Sequence, residues 1–162
     1  MSYVLRLAMD RTLIVGFMWG HVDPDVMLDG IRNPGFDPSD AAALDTLILV
    51  DPEASLSDLT PQAGRKIALA DKETYFPESD NLRHLPVKLA VVCPNPVSLV
   101  TMRLLFGMTD QIADYDEDRK TFDNLEAALT WLDRPEPDRG AQLIDEARRM
   151  TGAFTRFPVS AP

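Results

Sequence analysis

The chain has 162 residues, 45% hydrophobic and 26% charged, which are the values of one globular domain able to bury its own core. Its formal net charge of −10 disfavours nucleic acid and anionic membranes, since both attract basic patches and no run of Lys or Arg offsets the acidity. The single cysteine, Cys93, excludes an intramolecular disulfide and a cysteine-rich metal cluster.

No stretch approaches the ~18 apolar residues of a membrane span, and the apolar run after Met1 is too short for a signal peptide. The expected location is therefore the cytoplasm.

Tyr3–Ala8 and Thr12–Trp19 read as a hairpin turning at Asp10-Arg11. Asp23-Pro24 opens a helix carrying Val26, Met27 and Ile31, which Asn33-Pro34-Gly35 stops; a loop runs on to Asp40. Leu44–Val50 is a nearly continuous apolar strand, the pattern of a strand covered on both faces. Thr60-Pro61 opens a second helix with Ala63, Ile67 and Ala70 on one face, followed by a polar connection from Lys72 to Leu85. Val87–Cys93 is another buried strand. Asn95-Pro96 opens a third helix, for which the spacing suggests a core face of Val97, Val100, Leu104 and Met108.

Arg119–Phe122 reads as an edge strand. Asp123 with Glu126 then forms a capping box for a fourth helix striped by Leu125, Ala128, Leu129 and Leu132. Pro135 and Pro137 break the chain before an amphipathic helix, Arg139–Phe154, bearing Leu143, Ile144, Ala147 and Met150. Three helices thus share one device, a capping side chain followed by proline at the first helical position. The expected organisation is an α/β domain over residues 1–134 with a mostly parallel sheet, and a helical extension over 135–162 packed on the domain or on a partner.

Several segments resemble the SpoIIAA-like family, which has the STAS-like fold of anti-sigma-factor antagonists. They are Thr12-Leu-Ile-Val-Gly-Phe-Met-Trp-Gly20, Leu47-Ile-Leu-Val-Asp51, Ser57-Asp-Leu-Thr-Pro61, Leu89-Ala-Val-Val-Cys93 and Phe122-Asp-Asn-Leu-Glu-Ala-Ala-Leu-Thr-Trp-Leu132. The resemblance spans Leu5–Asp133 and implies a non-enzymatic regulatory or interaction module, expected to bind a protein partner or a small ligand at the strand-end loops. In the antagonists a strand ends in Asp and a serine at the start of the next helix is phosphorylated by a partner kinase. Asp51 matches that Asp, and Asp58-Leu59-Thr60 falls near the phosphorylated segment, with Leu where the family has Ser. The resemblance therefore implies a candidate phospho-switch or partner loop at Ser55, Ser57, Asp58 and Thr60. The plainer reading of Thr60 is a helix cap, and of Ser55 and Ser57 turn residues.

The alternative is a small hydrolase-type enzyme. His21, Asp51 and Cys93 all fall at strand ends, where open α/β sheets bind ligands, and together they have the composition of a nucleophilic triad. Each also has a structural reading: a buried small hydrophobe for Cys93, a turn cap for Asp51 and a loop residue for His21. Tyr75 and Phe76, in the long connection, are candidate partner-contact aromatics. With two histidines, no metal-ligand spacing and no glycine-rich phosphate loop, no metal and no cofactor is expected. The expected partners are another protein or a second copy of the chain, joined through the fourth and C-terminal helices.

Overall fold

In the computed structural model, residues 2–8, 11–41, 43–75, 87–109, 117–136 and 138–158 are described. β1 (Tyr3–Ala8) and β2 (Leu13–Met18) form the antiparallel hairpin, and β3 (Asp45–Val50), β4 (Val87–Val92) and β5 (Glu117–Phe122) each add in parallel. The strands lie in chain order, β1-β2-β3-β4-β5, within one sheet. The helices are α1 (Pro24–Arg32), α2 (Pro61–Tyr75), α3 (Pro96–Thr109), α4 (Leu125–Trp131) and α5 (Arg139–Thr151).

The order dictates the layers. Parallel neighbours joined by right-handed crossovers that always step in one direction put every crossover helix on the same face. Period-two alternation then splits the sheet into two cores. Ile14, Met18, Ile48, Val50, Val91 and Cys93 face the layer of α1, α2 and α3. Leu13, Val15, Phe17, Leu47, Leu49, Ala90 and Val92 face the opposite side, where they meet Leu125, Ala128 and Leu129 of α4 and Leu143, Ile144 and Ala147 of α5.

The proline-associated caps are present. Asp23 accepts from the Asp25 N–H at 2.8 Å, Thr60 Oγ1 from the Ala63 N–H at 3.2 Å, and Asn95 Oδ1 from the Val97 N–H at 2.9 Å. The same device recurs unforeseen at Asp37-Pro38, where a short 3-10 turn, Pro38–Asp40, interrupts the expected loop. For α4 the cap is Asn124, not Asp123: its side chain accepts from the Ala127 N–H at 2.9 Å, so Glu126 falls one position early for the capping box.

Two helix faces differ from expectation. On α3 the buried residues are Ser98, Met102 and Leu105, whereas Val97, Val100 and Leu104 are 75%, 54% and 65% exposed. This helix is apolar nearly all round, so spacing alone fits either face. The side chain of Met108 lies outside the described residues. On α5, Met150 is exposed and its sulfur accepts from Arg6 Nη1 at 3.4 Å.

The C-terminal segment belongs to the domain's own core. Beyond the left-handed Gly152 cap, Phe154 and Phe157 fold back under the sheet, and the Phe154 ring meets Phe17 edge-on at 5.8 Å. Arg6 pairs with Glu146 of α5. Arg134 ties the helical half to the sheet, since its guanidinium donates to Asp45 at 3.2 Å, the Leu132 carbonyl at 2.6 Å and the Thr12 carbonyl at 2.9 Å. The apolar stripes of α4 and α5, apart from the exposed Met150, are therefore covered within the chain.

Phe154 is fully buried and is the central ring of this cluster. Truncating it leaves a large void, so Phe154→Ala should lower unfolding free energy by about 3–5 kcal/mol in urea denaturation. A loss below about 1 kcal/mol would mean that the C-terminal segment is not part of the cooperative core.

Candidate functional site

A pocket of about 140 Å³ lies between the sheet and the α1–α3 layer. Its floor follows from register. Ile14, Thr46, Leu89 and Arg119 are consecutive cross-strand partners on β2 to β5, and all four line it. Ile48 and Val91 form the next row, and Tyr3 and Met18 face each other at the far edge. The roof comes from Ile31 of α1, Ala68 of α2, and Met102 and Leu105 of α3.

Small residues let the layers close in around this space. A Cβ at Gly64 would stand 2.8 Å from a Leu105 methyl, so α2 and α3 approach through that glycine. A Cβ at Gly16 would stand 2.5 Å from Ile48 Cδ1 and 2.9 Å from Leu5 Cδ2, so both side chains lean over the bare backbone of β2. At Gly30 a Cβ would come within 2.7 Å of the Tyr3 ring.

The walls are mainly aliphatic, with polar groups at two places. Tyr3, Asp71 and Tyr75 gather at one end. Burial pushes the Tyr3 phenol well above its ordinary pKa, and the negative charge of Asp71 raises it further; Tyr75 is raised by the same two causes in the same order. Both phenols therefore remain hydrogen-bond donors across the physiological range, and the Tyr75 hydroxyl donates to the Ile31 carbonyl at 3.4 Å. Thr46 and Arg119 supply polar groups at the row where the parallel strands begin.

Tyr75 is thus not a partner-contact aromatic. Helix α2 continues through the start of the segment expected to be a connection and buries Tyr75 as its last residue. Phe76 lies outside the described residues.

The strand-end residues do not assemble a nucleophilic triad. Cys93 is fully buried in the core facing α1–α3, and burial pushes its thiol pKa up to about 12, which leaves little thiolate at neutral pH. His21 is exposed and pairs with Asp58 at 2.6 Å. Asp51 is buried and accepts backbone N–H groups of Phe154 and Glu53. Among the described residues, none of the three bonds to another. The strand order also removes the crevice expected for them, because parallel strands that never reverse direction create no switch point.

The loop between β3 and α2 is stitched to the end of β2. The Asp51 N–H donates to the Met18 carbonyl at 2.9 Å, the Ser55 N–H to the Gly20 carbonyl at 2.8 Å, and the Val22 N–H to the Ser55 carbonyl at 3.0 Å. Ser55 and Ser57 hydroxyls are 3.1 Å apart, and Ser57, Asp58 and Thr60 are exposed. Between them Leu59 turns inward and lines the pocket. Among the described residues no group of three or more His, Cys, Asp or Glu side chains is placed to hold a metal ion, and no helix is long and apolar enough to cross a membrane.

Compared with models of protein families, with characterised proteins and with solved structures, the chain matches none. The pocket was missed by reading the sequence, although Gly64 and Ala68, small residues on the inward face of α2, were its signal.

Asp51 gives a pH test. Desolvation, then the nearby charge of Glu53, raises its carboxyl pKa, and this outweighs the lowering by the two N–H groups. The folded chain holds this proton to higher pH than the unfolded chain. The resulting stabilisation is complete below the ordinary carboxylate range and is lost as pH rises through the raised value. Asp51→Asn lacks this titration, so its stability relative to the parent should improve in urea unfolding as pH rises out of the ordinary carboxylate range. A pH-independent difference would contradict the assignment.

Proposed function

We propose that this is a non-enzymatic, SpoIIAA-like cytoplasmic module that binds a small apolar molecule between its sheet and α1–α3, and presents the result to a protein partner. The pocket carries this reading. It is a space of about 140 Å³ bounded mainly by aliphatic side chains, the size that holds a roughly benzene-sized molecule. The buried Tyr3 phenol stands at one end, the Tyr75 hydroxyl being engaged with the Ile31 carbonyl, which suits a ligand with an apolar body and a single polar group.

Two further observations support it. The assembled chemistry favours binding, because Cys93 is held as a thiol inside the core and His21 is engaged with Asp58. The loop bearing Ser57, Asp58 and Thr60 also sends Leu59 into the pocket wall, so ligand contact and the exposed partner loop share one short segment. The family reading is supported by an opening antiparallel hairpin followed by parallel strands in sequential order.

Toluene or indole, titrated with calorimetry and thermal unfolding, tests this. Saturation at a hundredfold excess over Kd should stabilise the protein by about 2.7 kcal/mol. Ala68→Met, which extends a flexible side chain into the pocket, should weaken binding at least tenfold while the protein stays folded. Absence of binding by either probe, or equal binding by the filled variant, would overturn the proposal.

A further inference from the structure

Among the described residues, nothing covers the outer face of α3. Val97, Val100 and Leu104 are each more than half exposed, and the next position in the same stripe, Gly107, is exposed with open space around its Cα. The steps of three, four and three residues are those of a helix–helix seam, and the buried Met102 and Leu105 lie on the opposite side of the helix.

The charge pattern sets this helix apart. The chain carries −10, so two copies repel over most of their surface. Helix α1 carries Asp25 and Asp29, α2 Asp71 and Glu73, α4 Glu126, and α5 Asp145 and Glu146. Helix α3 carries neither Asp nor Glu. Among the described helices, it alone lets a second acidic copy approach without opposing carboxylates on the two seams.

From these observations the geometry points to α3 as a two-fold, antiparallel contact with α3 of a second copy of this chain. With the axis passing beside Met102, Val100 meets Leu104 of the other copy and Val97 meets Gly107. Each bulky side chain thereby lies against either a shape-compatible apolar group or the bare helix backbone. The contact is isologous and therefore closes at two subunits. One helix face of this length falls short of the roughly 800 Å² per partner typical of stable complexes, so the dimer is weak and dissociates on dilution. Raising salt screens the overall repulsion and strengthens it. The inference does not depend on the ligand pocket, whose lining from α3 is on the helix's inner side.

Sedimentation equilibrium of the full chain over micromolar to millimolar concentration, at low and high salt, is the test. The expected result is a mass rising from 18.0 kDa toward twice that value, with the midpoint moving to lower concentration as salt increases. Leu104→Glu should abolish the rise. Gly107→Leu has open space in the monomer but occupies the seat of Val97 from the other copy, so it should weaken association at least tenfold without loss of monomer stability. A parent chain that stays monomeric at millimolar concentration would overturn the proposal. So would a dimer untouched by both variants, or a chain that stays monomeric yet floats with anionic phosphatidylglycerol vesicles through this stripe.

Discussion

The structure depends on one constraint: the sheet is buried on both faces, and the period-two alternation of its strands must serve two different cores at once. β2 shows this most completely, with every residue from Leu13 to Met18 buried. Its odd positions meet α4, α5 and Phe154, while its even positions meet the α1–α3 layer. A one-residue slip would exchange the two sets, setting Phe17 against a layer fitted to Gly16. Such a slip overpacks one core and leaves voids in the other, and misfits of this kind cost on the order of 1–5 kcal/mol each.

Sequential strand order then determines where a ligand can go. All crossover helices fall on one side, and the chain covers the other with the helices that follow β5. A sheet of this kind has no point at which strand order reverses, so the strand-end crevice of doubly wound folds does not arise. Space opens instead between layers, where the small side chains of Ala41 and Ala68 underfill the interface between sheet and helices. The same asymmetry leaves α3 with a single buried face and an uncovered apolar one.

Much of this was legible in the sequence, for local reasons. Asp23-Pro24, Thr60-Pro61 and Asn95-Pro96 mark helix starts because proline forbids a preceding hydrogen bond and the adjacent oxygen satisfies free N–H groups. Leu47–Val50 and Ala90–Cys93 announce doubly covered strands by their continuity. What was not legible depends on contacts between distant segments. The face of α3 was ambiguous because both sides are apolar, and only its packing through Gly64 against Leu105 selects one. The extension of α2 to Tyr75 is secured by α1, whose Ile31 carbonyl receives the phenol. The pocket is a difference in side-chain volume summed over three helices and five strands, which no window of sequence contains. The strand-end set of His21, Asp51 and Cys93 looked like chemistry because composition was visible and direction was not. Alternation turns Cys93 inward, and the loop turns His21 toward Asp58.

A crystal structure under xenon pressure reads out whether an accessible apolar space lies between the sheet and the α1–α3 layer. Xenon binds apolar cavities without needing a polar anchor. Density is expected in the space bounded by Ile48, Ala68 and Leu105, and none on the α4–α5 side of the sheet. A pressurised crystal with that space empty, or with xenon lodged beside Phe154 instead, would contradict it.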